Sequence, residues 1–155
     1  MGGRSAGGGG STIGRMSNSG SDRIGPTFRP ITGRGHIYTR INEGWGEAPY
    51  LEVRGSRIEE DLRGTGLGQG MYIAGMMEAQ KRGIGFMSDT RSLSPAATRV
   101  WESLRAKLPS GAMVREVTDD GRDPHFSISS ESLRRLGPNF NWRSLETESR
   151  QPRLA

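Results

Sequence analysis

The feature that most constrains this chain is a short glycine-rich segment, Arg63-Gly64-Thr65-Gly66-Leu67-Gly68, between a predicted strand and a predicted helix. The strand covers residues 50–58 and the helix covers residues 67–81. Glycines in this place let backbone N–H groups approach an anion, and the first turn of a helix favours negative charge. The segment therefore predicts a phosphate or pyrophosphate site. Glycines also form plain turns and helix caps, so a simple turn remains the alternative interpretation.

The surrounding pattern predicts a mixed α/β fold. Residues 36–41 alternate as a strand does, residues 84–88 form a short apolar strand, and residues 112–117 and 125–128 form two more. A second helix begins at Ser94 as N-cap and Pro95 as first helical residue. Its apolar stripe consists of Ala97, Val100, Trp101, Leu104 and Leu108. A short helix follows Ser129 or Ser130 and ends at Leu136, which gives the order β-β-α-β-α-β-β-α.

Composition divides the 155 residues into one folded domain and two arms. Residues 1–34 are rich in Gly, Ser and Arg without an apolar period, which predicts a flexible arm. Residues 35–138 form the predicted domain, and residues 139–155 form a polar C-terminal tail. The net charge of +5 lies in these ends, because residues 1–35 hold five Arg and one Asp. Basic arms suit nucleic acid or an acidic protein surface, although a merely solubilising role remains open.

Several functional classes are disfavoured by composition. The chain contains no Cys, which excludes disulfides, thiolate metal sites and a Cys nucleophile. Its two histidines, His36 and His125, are far apart in sequence, so we expect no metal site. No apolar run reaches the length of a membrane span. We therefore expect no membrane partner and a cytoplasmic protein, or one packaged into a virion.

Two motifs resemble the GNAT superfamily of acyl-CoA N-acyltransferases. The segment 58–68 resembles the acyl-CoA-binding motif of the family, Arg/Gln-x-x-Gly-x-Gly/Ala between a strand and a helix. Arg63, Gly66 and Gly68 fill its three defining positions. The helix from Ser94 to Leu104 resembles the second family signature, Asn-x-x-Ala-x-x-Leu-Tyr-Glu-x-Leu. The resemblance covers about residues 50–117.

This resemblance implies a GNAT-like mixed sheet flanked by helices, with acetyl-CoA as cosubstrate and no metal. The implied acetyl acceptor is an amine of a small molecule or of a protein. Backbone amides of the glycine-rich segment would hold the CoA pyrophosphate, and the strand before it would bind the pantetheine arm. A splay beside that strand would expose an N–H to the thioester carbonyl. The implied cofactor-binding residues are Arg57, Ile58, Leu62, Arg63, Gly64, Thr65, Gly66, Leu67, Gly68 and Ser94.

Catalysis by such a site needs a base for the amine and an acid for the thiolate. The candidate bases are Glu52 and Glu59, for which a solvated strand face is the alternative interpretation. His36 is a further candidate, with a surface position on an edge strand as its alternative. The motif position that often holds a catalytic Tyr acid in the family corresponds to Trp101 in this chain. The place of Trp101 on the apolar stripe predicts a core residue.

Two hypotheses follow from these observations. The first is an N-acetyltransferase of GNAT type that moves an acetyl group from acetyl-CoA to an unidentified amine. The second is a GNAT-like structural or interaction module with reduced catalysis, for example a phage virion component whose basic arms bind protein neighbours or nucleic acid. The family's N-terminal helices, which often shape the acceptor site, have no counterpart in the glycine-rich start of the chain.

Overall fold

The structure is a computed structural model that describes residues 11–18, 24–43, 48–58, 66–91, 93–117 and 124–146. Within these residues, seven strands form one sheet: β1 (Arg15–Ser17), β2 (Ile24–Arg29), β3 (Gly35–Asn42), β4 (Tyr50–Ile58), β5 (Gly85–Met87), β6 (Val114–Val117) and β7 (Pro124–Ile128). Their spatial order is β1-β2-β3-β4-β5-β7-β6. Only β4 and β5 pair in parallel; every other pair is antiparallel. The predicted α/β class with a mixed sheet is confirmed.

In the described part of the chain, three α-helices accompany the sheet: α1 (Leu67–Arg82), α2 (Pro95–Lys107) and α3 (Ser130–Leu136). α1 ends at Gly83, whose φ of 72° suits glycine. α2 begins as predicted, because the Ser94 hydroxyl accepts a hydrogen bond from the Ala97 N–H at 3.1 Å. The side chain of Ser129 caps α3 in the same way. The positions of these helices within residues 66–136 therefore agree with the local sequence signals.

The core is centred on Trp101 of α2, which is fully buried. Its ring lies 5.3 Å from that of Tyr72 on α1 and 5.3 Å from that of Phe86 on β5. It also stacks on Phe126 of β7 at 5.9 Å. These contacts place α1 and α2 on the same face of the sheet. The prediction that Trp101 is a core residue is confirmed.

The prediction of a flexible arm over residues 1–34 is wrong for the part that the structure describes. β1 and β2 lie in it, and Phe28 is fully buried in the core. The sequence pattern did not predict β2, because the register of its pairing with β3 shifts between Ile24 and Thr27. Gly25 is required in this irregular segment, since a Cβ there would lie 2.3 Å from the Thr39 hydroxyl oxygen. That hydroxyl donates to the Pro26 carbonyl at 2.6 Å.

The C-terminal tail also packs on the domain, up to residue 146. A short 3-10 helix, Trp142–Leu145, buries both of its end residues. The Glu146 carboxylate then accepts a hydrogen bond from the Ser11 hydroxyl at 2.6 Å. Residues 11–14 cross α1 closely, because the Gly14 N–H donates to the Gly70 carbonyl at 2.9 Å. The described residues of both predicted arms are thus part of the fold, while residues 1–10 and 147–155 lie outside the description.

Candidate functional site

The sheet opens between β4 and β5. These strands pair only through Tyr50 with Gly85, Leu51 with Phe86, and Glu52 with Met87. β5 ends there, and the next N–H, that of Ser88, donates instead to the Phe126 carbonyl of β7 at 2.9 Å. β4 continues for six residues, 53–58, with β3 as its one strand partner among the described residues. We call this edge of β4, over residues 53–58, the slot.

A register shift in β4 accompanies this opening. Thr39 of β3 pairs with Val53, whereas the preceding Tyr38 pairs with Gly55. Arg54 is therefore the extra residue of a bulge. Bulges twist and bend a strand and often lie beside functional sites. Here the bulge lies one residue past the point where the opening begins.

The N-terminus of α1 follows β4 along the chain, after residues 59–65. Gly66 is its N-cap with φ 85° and ψ −13°, a left-handed conformation that favours glycine. Within the described ranges no side chain caps this end, and the first turn contains no acidic residue. The first helical hydrogen bond runs from the Gly70 N–H to the Gly66 carbonyl at 3.1 Å. The dipole of α1 thus favours an anion at this end.

The predicted site residues fall into two groups. Glu59, Leu62, Arg63, Gly64 and Thr65 lie outside the described residues, and their predicted roles stay predictions. Arg57 and Ile58 end β4, where they pair with His36 and Gly35 of β3. Ser94 follows the β5 end, and its hydroxyl serves as the cap of α2.

Positive charge surrounds the far end of β4. Arg57 is exposed there, and Arg29 ends β2. Partial burial, together with the charges of Arg29 and Arg57, lowers the pKa of His36 below its ordinary value. The imidazole of His36 stacks on Tyr38 with ring centroids 4.2 Å apart. β3 lies between β2 and β4, so the alternative that placed His36 on an edge strand is wrong.

Glu52 is fully buried at the point where the strands part. Its Oε1 accepts hydrogen bonds from Arg40 Nε and Asn42 Nδ2, both at 3.0 Å. Its Oε2 accepts from Arg54 at 3.3 Å and from the Thr90 hydroxyl and N–H at 2.9 and 3.3 Å. The alternative interpretation of Glu52 as a residue of a solvated face is therefore wrong.

The same contacts lower the pKa of Glu52. Burial acts in the opposite direction and raises it, but the hydrogen bonds from Asn42, Thr90 and Arg40 outweigh burial. The carboxylate stays ionised and binds the loop after β5 to β4. Arg91 of this loop adds a second link, because its guanidinium donates to the Arg54 carbonyl. Sequence reasoning missed these partners, although Arg40 and Asn42 share one strand face by their spacing.

Two hydroxyl groups meet on the helix-covered side of the slot. Tyr72 of α1 is 2% exposed, and its hydroxyl shares a hydrogen bond with the side chain of Ser56. Ser56 is exposed and pairs with the buried Ile37, which places it on the side of the sheet that α1 covers. Burial raises the pKa of Tyr72 above its ordinary value, and the Ser56 bond opposes this. Sequence reasoning did not identify this pair, which α1 and β4 assemble from distant positions.

The described residues hold no group of three or more His, Cys, Asp or Glu side chains arranged for a metal ion. No helix in the described ranges is long and apolar enough to cross a membrane.

Comparisons with protein-family models and with curated proteins give no match to this chain. Among solved structures, the chain is similar to the ribosomal-protein-S18-alanine N-acetyltransferase from Escherichia coli, with 19% identity and a TM-score of 0.46 over 70% of each chain. It is also similar to a structure described as an acetyltransferase from Agrobacterium tumefaciens, with 20% identity and a TM-score of 0.40. That similarity covers 76% of this chain and 75% of the other.

Proposed function

We propose that this chain binds an acyl-CoA, with acetyl-CoA as donor, and transfers the acyl group to an amine. The observation that supports the proposal is the opened edge of β4, which the α1 N-terminus follows along the chain. Six residues of opened strand extend about 20 Å at roughly 3.3 Å per residue, which suits an extended arm containing amide groups. The helix end beyond the strand suits the pyrophosphate attached to such an arm.

The charges near the slot support the same placement of the pyrophosphate, at the end of β4 that precedes α1. Arg29 and Arg57 lie at the end of the sheet from which the chain continues to the glycine-rich segment. Phosphate groups of a nucleotide are stabilised by guanidinium groups, which bind them with charge-assisted hydrogen bonds. The thioester would then lie toward the start of the opening, near residues 53–56.

The proposed chemistry is amine attack on the thioester carbonyl. The N–C bond forms while the carbonyl oxygen gains negative charge, which an N–H of the opened β4 edge stabilises. The C–S bond then breaks, and the sulfur departs with the electron pair. A base removes the proton from the amine, and an acid protonates the thiolate.

We assign Glu52 a positioning role in this scheme. Two guanidinium groups and three further donors engage its carboxylate, and its pKa is lowered. A carboxylate stabilised in this way is a weak base. Glu59, the other predicted base, lies outside the described residues and remains the candidate for proton abstraction.

The buried Trp101 favours the alternative, a GNAT-like structural or interaction module with reduced catalysis. Its indole N–H is inaccessible to solvent and has no hydrogen-bond partner within the described part of the chain. The group at the position of the family's usual acid therefore contributes packing alone. This alternative differs from the enzyme in one measurable property, the release of free thiol.

Thiol release from acetyl-CoA tests the proposal directly. The full chain is incubated with acetyl-CoA and a panel of simple amines, amino acids and short peptides, and free CoA is measured with a thiol reagent. We expect release that depends on both protein and amine. Binding of acetyl-CoA without release would establish the alternative, and the absence of both would overturn the acyl-CoA assignment.

A further inference from the structure

Among the described residues, no helix covers the face of β1–β4 that points away from α1 and α2. The buried Ile37 lies on the helix side of the sheet. α3 is also on that side, because Gln80 Nε2 of α1 donates to the Leu133 carbonyl of α3 at 2.8 Å. Tyr38 follows Ile37 in β3, so strand alternation places it on the other side, where it is 47% exposed. We call this other side of the four strands the open face.

A row of basic side chains crosses the open face. Arg15 of β1 pairs with Arg29 of β2, and His36 of β3 pairs with Arg57 of β4. The register between β2 and β3 makes Arg29 and His36 neighbours as well. Since adjacent strands lie about 4.8 Å apart, the row extends over about 14 Å. The one acidic residue described in these four strands, Glu52, is buried and ion-paired, so it adds little negative charge to this surface.

An exposed aromatic ring lies beside this row. The ring of Tyr38 contacts the His36 imidazole, with ring centroids 4.2 Å apart. On its other side the partner of Tyr38 in β4 is Gly55, where a Cβ would lie 3.8 Å from Tyr38 Cδ2. The ring therefore lies against β4 and presents an aromatic surface to solvent between positively charged groups.

We propose that the open face binds single-stranded nucleic acid, with a base stacked on Tyr38 and phosphates bound by Arg15, Arg29 and Arg57. Guanidinium groups bind phosphate oxygens through charge-assisted hydrogen bonds. Unpaired bases stack on aromatic side chains whatever their sequence. An acidic peptide would use the arginines but leave the exposed ring without a role, and the bases of a duplex are already stacked on one another. Single-stranded nucleic acid is the polyanion that uses both features.

Fluorescence anisotropy with the full chain and a labelled oligouridine of about 12 nucleotides tests the proposal. Tyr38→Ala removes the ring, whereas Tyr38→Phe keeps it. Arg15→Ala removes one charge of the row, and its matched control is Arg99→Ala, because Arg99 is exposed on α2, on the helix side of the sheet. Affinity is measured at several salt concentrations, with poly-glutamate and double-stranded DNA as competitors, and the melting temperature of each variant is recorded.

We expect Tyr38→Ala to bind at least about 5-fold more weakly than the unmodified chain, the low end of the effect of losing one stacked base. Tyr38→Phe and Arg99→Ala should bind as the unmodified chain does. The slope of log affinity against log salt should be about −2 for three phosphate contacts, and about 0.7 smaller in magnitude for Arg15→Ala.

Three results would overturn the proposal. The first is undetectable binding of the oligonucleotide by the unmodified chain. The second is unchanged affinity of Tyr38→Ala, or an equal loss of affinity in Arg15→Ala and Arg99→Ala. The third is displacement of the oligonucleotide by poly-glutamate or duplex as readily as by unlabelled oligouridine, which would assign the open face to acidic proteins or to double-stranded DNA instead. None of these results bears on thiol release from acetyl-CoA, so the proposed function stands or falls separately.

Discussion

Replacement of Phe28 by Ala tests whether the N-terminal residues belong to the core. Phe28 is fully buried, with 0% solvent exposure, and pairs with the equally buried Ile37. Phe→Ala substitutions in cores cost about 3–5 kcal/mol. Met16, opposite Phe28 on β1, is 39% exposed and flexible, so part of the cavity can collapse. We therefore expect a loss near 3 kcal/mol, the lower end of that range.

Urea denaturation monitored by tryptophan fluorescence measures this loss. Ile24→Ala on the same strand is the control, because Ile24 is 57% exposed and should change stability by no more than about 0.5 kcal/mol. Deletion of residues 1–34, which removes β1 and β2, should unfold the domain for the same reason. Equal unfolding midpoints for Phe28→Ala and Ile24→Ala would refute the packing of β2 against the core.

Two further predictions concern contacts near the site. Glu52→Gln should lower the free energy of unfolding at neutral pH. Because the folded-state pKa of Glu52 is lowered, the stabilisation that its carboxylate supplies is present above the ordinary Glu pKa and is lost as pH falls through the folded pKa. The urea midpoints of the two proteins should therefore differ at neutral pH and converge as pH falls below the ordinary Glu pKa, and a constant difference would contradict this. Gly70→Ala should lower the melting temperature although Ala favours helices, because its Cβ would lie 1.6 Å from the Thr12 carbonyl oxygen. A raised melting temperature would show that residues 11–14 do not cross α1 there.

Elements whose signals are local could be predicted from the sequence. The cap Ser94, the following Pro95 and the stripe through Trp101 lie within one helix and identify α2 without tertiary information. The same holds for the strand and helix on either side of the glycine-rich segment. These elements fix the position of the candidate anion site.

Features that depend on distant partners could not be predicted. β2 contains a glycine and a proline at its irregular register, which interrupt the alternation that identifies strands. Trp142 and Leu145 are isolated apolar residues whose burial depends on the helices that they meet. Glu52 looks like any strand carboxylate until β3 and the loop after β5 supply its donors. The same argument applies to the hydroxyl pair of Ser56 and Tyr72.

Calorimetric titration with acetyl-CoA tests the central claim, an acyl-CoA site at the α1 N-terminus, most directly. Gly68→Asp adds a carboxylate to the first turn, where Asp is favourable for a helix, and Gly68→Asn is the neutral control of nearly equal size. Gly66 is less suitable, because its φ of 85° strains any other residue. We expect the unmodified chain to bind acetyl-CoA, and Gly68→Asp to bind at least about 10-fold more weakly than Gly68→Asn because of charge repulsion. Undetectable binding by the unmodified chain, or equal affinity of Gly68→Asp and the unmodified chain, would contradict the account.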